Sequence, residues 1–413
     1  MASGIATWIV CAGAIACMLL RPRAIPEWVW AASAALLLVA LHLLDWHDAL
    51  GAVVRGTGVY AFLIGMMLLA EVARVHGVFA WLAGHAVGAA GSSQDRLFAL
   101  VYVVGVAVTV FLSNDATAVV LTPAIVAVVR RAGVAPLPYV FACAFVANAA
   151  SFVLPISNPA NLVAFGEALP QLAPWLRAFG LPSVLAIVAT YAALRILSHR
   201  ALRGELREAQ GVAALGRGGR AAVAVVAVAS VGLVATSWAG GPLGAATLLF
   251  GGLALLVTLC VDRATPAAAL RGVTWSIVPL VAGLFVLVQA LDASGALGVA
   301  RRFLAFASSL PHVAGNLAAM VAVTVAANVA NNLPIAVVAG LALHGTHVAP
   351  HVAHAAVVAV DLGPNLSVSG SLATLLWLAA LRREGIVVTP LRFLGTGAVV
   401  LVPALFLCAL ALQ

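Results

Sequence analysis

FLSNDATAVVLTP, residues Phe111–Pro123, places Ser113, Asn114, Asp115, Thr117 and Thr122 inside a run that is otherwise apolar from 97 to 131. A carboxylate at that depth is costly in hydrocarbon and is usually functional. A second interrupted run, 312 to 345, carries AANVANNLPIAV (Ala326–Val337) with Asn328, Asn331, Asn332 and Pro334. Two further breaks are ASFVLPISNPANLVAF (Ala150–Phe165), within 137 to 169, and DLGPNLSVSGSLATLLW (Asp361–Trp377), within 350 to 381. In these two, prolines and glycines interrupt the helix. Asn148, Ser151, Ser157, Asn158, Asn161, Asn365, Ser367, Ser369 and Ser371 supply hydrogen-bonding groups. Unwound backbone is tolerated inside a bilayer only where it lines a cavity or a substrate. The four breaks therefore predict a polar cavity near the midplane, met by half-helix ends.

The rest of the composition leaves one class. Of 413 residues, 64% are hydrophobic and 8% charged, and mean hydropathy is +1.15, so the chain is an integral membrane protein. All 21 basic residues are Arg and fall between apolar runs, not in a patch, which argues against nucleic-acid binding. The five cysteines, Cys11, Cys17, Cys143, Cys260 and Cys408, are scattered and predict no disulfide framework. No Walker loop, HExxH or GxSxG pattern is present, so neither ATP hydrolysis nor intramembrane hydrolysis has support, and no cofactor is implied.

Uninterrupted apolar runs near 4–20, 28–44, 57–75, 181–197, 221–238, 243–261, 276–291 and 392–411 are long enough to cross a bilayer. The runs 97–131 and 312–345 are read as re-entrant hairpins, since arms of about 16 residues reach only about 24 Å; 137–169 and 350–381 each cross once. The expected architecture is all-α, with about ten transmembrane helices plus two re-entrant hairpins. With both termini outside, only Arg55, Arg177, Arg301 and Arg302 lie outside and the other seventeen face the cytoplasm, the bias the positive-inside rule requires. The expected location is a bacterial-type inner membrane.

Sliding the chain against itself by 217 or 218 residues pairs Asp45 with Asp262, Gly65 with Gly283, Glu71 with Gln289, Gly77 with Gly295, and Asn114-Asp115 with Asn331-Asn332. Each half repeats one plan, and its odd number of crossings inverts the second copy. Two inverted-topology repeats of this kind are the mark of a secondary transporter. The expected units are 1–197 with an inner hairpin, a hydrophilic cytoplasmic linker 198–220 containing HRALRGELREAQGVAALGRGG, and 221–413 with an outer hairpin. Stretches 78–90 and 296–309 are expected as interfacial helices.

At SNDATAVVLTP, ISNPANL and above all DLGPNLSVSGSLATLLW, the sequence resembles the ArsB family, arsenite/antimonite efflux carriers of the ion transporter superfamily. It departs from that pattern at Val368-Ser369, where Pro-Ile is expected. The resemblance implies export of arsenite or antimonite in exchange for protons and allows a soluble arsenical ATPase as a cytoplasmic partner. Arsenite near neutral pH is an uncharged trihydroxide, matched by hydrogen-bonding groups without a basic partner, and the breaks hold none. The expected substrate contacts are Ser113, Asn114, Thr117, Ser151, Asn158, Asn161, Asn331, Asn332, Asn365, Ser369 and Ser371, with Asn114, Asn158, Asn331 and Asn365 foremost.

Asp115 and Asp361, the only carboxylates in the breaks, are the expected proton carriers, because an unpaired buried carboxylate favours taking up a proton. Asp115 sits at a hairpin tip and its counterpart Asn332 cannot titrate; for Asp361, capping the next half-helix is the competing role. Sodium/proton antiport, carboxylate transport and a channel are the alternative functions. His344, His347, His351 and His354 are spaced as weak metal-ligand candidates, but no acidic or Cys ligand accompanies them before Asp361. Glu71 is expected to pair with Arg74. The cysteines are expected to pack, Cys143 alone lying near a break.

Overall fold

A chain in lipid has to satisfy its backbone internally, and the computed structural model does so with helices; it describes residues 2–166, 169–206, 214–261, 265–343 and 348–412. Among the described residues the only extended pairing is a bridge between Ser93 and Glu205. Eight helices among those residues are long and apolar enough to cross a membrane, and shorter apolar helices lie among them.

The first half runs α1 (Ala2–Leu20), α2 (Glu27–Ala40), α3 (Trp46–Arg55), α4 (Thr57–Val75), α5 (Val78–Ala90), α6 (Gln94–Phe111), α7 (Thr122–Arg131), α8 (Leu137–Ala149), α9 (Pro159–Phe165) and α10 (Leu172–Ser198). The second half follows the same order: α11 (Arg217–Ala239), α12 (Leu243–Val261), α13 (Thr265–Gly272), α14 (Ile277–Ala293), α15 (Leu297–Ser309), α16 (His312–Ala330), α17 (Asn332–Leu343), α18 (Pro350–Leu362), α19 (Leu372–Arg383) and α20 (Pro390–Ala411). Short 3-10 turns, Pro155–Ser157 and Gly363–Leu366, occupy matching places after α8 and α18.

Packing between the halves is reciprocal. Helix α4 lies on α12 and α14 on α2; α13 meets α4 and α14 meets α3; α17 meets α9, α19 meets the turn Ala116–Leu121, and α10 lies along α20. Two copies of one plan facing each other about a two-fold axis pair in this way. Helix α8 is buried at every position from Pro138 to Ala149, and α18 from Ala355 to Leu362, as helices apolar all round should be.

Small residues bring the backbones together. A Cβ on Gly65 of α4 would collide with the backbone at Thr247 of α12, and one on Gly283 of α14 with the backbone at Ala31 of α2, so the paired glycines found in the sequence sit at equivalent crossings. Gly65→Val is expected to separate α4 from α12 at a cost of at least about 1–3 kcal/mol, read as a lower thermal midpoint of the detergent-solubilised protein. An unchanged midpoint would remove this crossing from the account.

Three features differ from the sequence reading. Helix α10 starts at Leu172, ahead of the expected span, because Leu172, Trp175 and Phe179 are already buried. Helices α3 and α13 follow no long apolar run; α3 is started by Asp45, whose side chain accepts a 2.8 Å hydrogen bond from the His47 amide. Helix α11 begins at Arg217, which shortens the linker, and Asp262, Arg207, His344 and His347 lie outside the described residues.

Contacts at helix ends group the loops by side. Arg130 pairs with Glu384 at 3.1 Å and Arg195 with Asp95 at 2.5 Å, and the Leu206 amide donates to the Ser92 carbonyl at 2.9 Å. Elsewhere, Arg301 pairs with Asp292 at 3.1 Å and the Trp8 indole donates to Ser294 Oγ at 2.8 Å. The first group joins loops that the Arg distribution assigns to the cytoplasm, the second loops it assigns to the outside.

Candidate functional site

Helix α6 ends at Phe111, and Ser113 to Asp115 form the turn that starts the return arm. Ser113 Oγ accepts from the Ala116 amide at 3.1 Å, so it caps. Asn114 Oδ1 accepts from the Asp115 amide at 2.9 Å. Asp115 makes no capping bond, which leaves its carboxylate to the cavity. Residues Ala116–Leu121 are wound as a π-helix, a distortion frequent at functional sites. Thr117 is fully buried and its hydroxyl meets that of Thr109 at 2.8 Å, so it braces the hairpin.

The other hairpin turns at Asn331, whose φ of 73° is unusual for a residue with a side chain. The turn is tied to the segment between α18 and α19: the Asn332 amide donates to the Gly370 carbonyl at 2.9 Å and Asn331 Nδ2 to the Ser369 carbonyl at 3.3 Å. Asn328 is the hub of this tie. Its Nδ2 donates to the Gly363 carbonyl at 2.9 Å, Ser367 Oγ donates to its Oδ1 at 2.6 Å, and Ser369 Oγ donates to its carbonyl at 2.9 Å. Ser369 is thus committed to the hairpin tie.

The two half-helices begin alike. Asn158 Oδ1 accepts from the Ala160 amide at 3.0 Å, and Ser371 Oγ accepts from the Ala373 amide at 3.2 Å. Because a backbone amide can only donate, Asn158 must turn its NH2 group the other way, where it donates to Asp361 Oδ1 at 2.6 Å. Asp361 is fully buried within α18 and takes this bond instead of capping a half-helix. Among the described residues its Oδ2, like the Oδ1 atoms of Asn148 and Asn161, has no hydrogen-bond partner. Asn161 Nδ2 donates to the Ser151 carbonyl at 3.0 Å while Ser151 Oγ donates to the Ala147 carbonyl at 2.6 Å, so both hold the α8–α9 turn together.

Asn148 Nδ2 donates to Asn365 Oδ1 at 3.0 Å, and Asn365 Nδ2 donates to the Phe145 carbonyl at 3.2 Å. The two asparagines are 217 residues apart, the offset of the repeat, so equivalent residues of the two halves bond to each other. Sequence reasoning noticed Asn148 as a hydrogen-bonding group without making it a site residue; its offset from Asn365 was the available signal.

All four breaks do not contribute equally to the space between them. A small cavity of about 10 Å³ is lined by Asn114 and Asp115 from the first break, Asn332 from the second, Asn158 from the third and Ser371 from the fourth, with Leu63 and Ile277 closing it. A larger cavity, about 80 Å³, adjoins it through Asp115, Pro159 and Leu372 and is lined also by Ser113, Glu71 and Gly272. Asn331 lines a separate cavity of about 40 Å³ beside Glu27. Thr117, Ser151, Asn161, Asn365, Ser369 and Asp361 are absent from the linings of these three cavities.

Among the described residues, no basic residue and no cysteine lines any of the three. Cys11 and Cys408 meet backbone carbonyls, and Cys143 is wholly buried in α8. His351 meets Asn316 Oδ1 at 2.7 Å and its ring stacks on His312 at 4.1 Å, while His354 packs edge-on against Phe179. Among the described residues there is no cluster of three metal-ligating side chains. Glu71 pairs with Arg74 at 2.7 Å, as its spacing predicts.

The family model described as citrate transporter matches residues 7–362. The arsenical pump membrane protein of Escherichia coli K12 is 28% identical over 376 residues, 86% of either chain. That of Yersinia enterocolitica is 28% identical over 418 residues, 93% of either chain. The crystal structure of the Alcanivorax borkumensis YdaH transporter matches the fold with a TM-score of 0.58 at 15% identity, covering 93% of this chain and 96% of that one.

Proposed function

We propose that this chain, which belongs to the citrate transporter family, is a secondary carrier that exports arsenite and antimonite in exchange for protons by alternating access. The observation that carries this is the lining of the small cavity: three asparagines, one serine and one carboxylate, without a cation. A citrate-like polyanion beside Asp115 would meet a like charge and no basic side chain, at a cost of several kcal/mol after desolvation. An uncharged trihydroxide finds donors and acceptors instead. The names of the arsenical pump relatives support the same substrate.

In this scheme arsenite enters from the cytoplasm and hydrogen-bonds to Asn114, Asn158, Asn332 and Ser371 while Asp115 is ionised. The loaded carrier opens outward and a proton from outside neutralises Asp115 as arsenite leaves. Return of the protonated carrier and release of the proton inside reset the site. Asp361, bonded to Asn158, senses the occupied cavity through that amide and is the second proton site. The reciprocal helix pairing supports alternating access by the two halves. Termini outside and linker inside follow from the Arg distribution, and a soluble ATPase would dock on that inner face.

The test is uptake of radiolabelled arsenite and of radiolabelled citrate by everted vesicles. Arsenite uptake that collapses when the proton gradient is removed, with no citrate uptake, is expected. Citrate uptake would overturn the substrate, and arsenite flux indifferent to the gradient would indicate a channel. Sodium/proton antiport is the second reading, favoured by the buried Asp361 Oδ2, which has no hydrogen-bond partner among the described residues and which a cation would satisfy. Sodium-dependent fluorescence quenching in proteoliposomes separates the two.

A further inference from the structure

The two halves match in position but not in charge. Asp115 of the first half stands opposite Asn332 of the second, and Glu71 opposite Gln289, so each acid has its isosteric amide as counterpart. The amides are used neutrally: Arg55 donates to Gln289 Oε1, and Asn332 lines the small cavity. The acids share one cavity, the larger space of about 80 Å³ whose walls include both Asp115 and Glu71. Glu71 is buried, and Arg74 grips its Oε2 through Nε at 2.8 Å and Nη2 at 2.7 Å. Across from it is Gly272 of α13, where any Cβ would collide with the carboxylate. The ion pair alone accounts for Arg74. It does not account for a carboxylate facing the cavity of Asp115, nor for loss of both acids together from the other half.

We propose that Glu71 is a further proton-handling residue, which receives the proton leaving Asp115 through solvent in the larger cavity and passes it to water at the Arg74 end of α4. The inference rests on the proposed proton-coupled export and deepens it, because both acids of the path lie in the first half and line one cavity. The other charged or titratable groups around Glu71 are His76 at the C-terminal end of α4, Arg271 on α13, Arg217 and Arg220 at the start of α11, Cys260 on α12 and His85 on α5, all outside the cavity lining. Those on α3 and α14, His47, Asp48, Arg55 and Asp292, belong to the opposite end of α4.

Glu71→Gln installs the amide of the other half. In proteoliposomes, proton-driven arsenite accumulation should fall at least about tenfold and its dependence on cytoplasmic-side pH should flatten, as for loss of a proton-transfer group. Arsenite–arsenite exchange without a gradient should persist, and Glu71→Asp should restore the drive. Arg74→Gln breaks the ion pair while keeping the carboxylate and should retain the pH dependence. Wild-type drive in Glu71→Gln, loss of exchange along with drive, or an Arg74→Gln variant that behaves as Glu71→Gln would each overturn the proposal. If the wild-type protein itself shows no proton-driven arsenite flux, the functional reading fails first, and the two failures are told apart.

Discussion

Asp115→Asn is expected to abolish uphill arsenite export while arsenite exchange continues. The substitution gives the first hairpin the Asn-Asn tip that Asn331 and Asn332 already form in the second, and it keeps the shape of a cavity lined by Asn114, Asn158, Asn332 and Ser371. What disappears is the one group in the small cavity able to alternate between charged and neutral. A carboxylate near the bilayer centre costs about 2.5–3.5 kcal/mol on insertion scales, which an occupant or a proton must offset. Removing that dependence should lower net proton-driven flux by about 100-fold, since each 1.4 kcal/mol is a factor of ten. Vesicle uptake at fixed arsenite, with and without a gradient, measures it. Uphill transport by the variant at the wild-type rate would exclude Asp115 as the carrier.

Asn158→Ala should be nearly as damaging, for a different reason. Asn158 caps α9 with one end of its amide, holds Asp361 with the other, and lines the cavity. Its loss removes a cap worth about 1 kcal/mol and leaves the Asp361 carboxylate without its donor, costing about 1–3 kcal/mol or more. Ser371→Ala is the matched control, because Ser371 caps α19 from the equivalent place and holds no acid. A fall in arsenite affinity of about 10- to 100-fold for Asn158→Ala, with a much smaller one for Ser371→Ala, supports the coupling through Asp361. Equal losses would reduce Asn158 to a cap.

These two residues also mark how far the sequence can be read. The breaks were legible because polar residues inside an apolar run have no cheap home in lipid, and the repeat was legible because the breaks matched together with the filler. Helices α3 and α13, of 10 and 8 residues, were not, since short amphipathic turns carry no hydropathy signal above their loops. Within the site, Asn114 and Asn158 could not be distinguished from Asn331 and Asn365 by type or depth. Only packing decides that Asn365 spends its amide on Asn148 and Phe145 while Asn158 faces the cavity. The Asn328 hub was similarly hidden: its partners Gly363, Ser367 and Ser369 lie 35 to 41 residues away.

Reversing the proton gradient across proteoliposomes that hold equal arsenite on both sides tests the central claim most directly. A proton-coupled exchanger must move arsenite against its own gradient toward the more acidic side, and must reverse that movement when the pH difference is reversed. Arsenite that remains at equal concentration under either pH difference, while still crossing the membrane, would contradict the account.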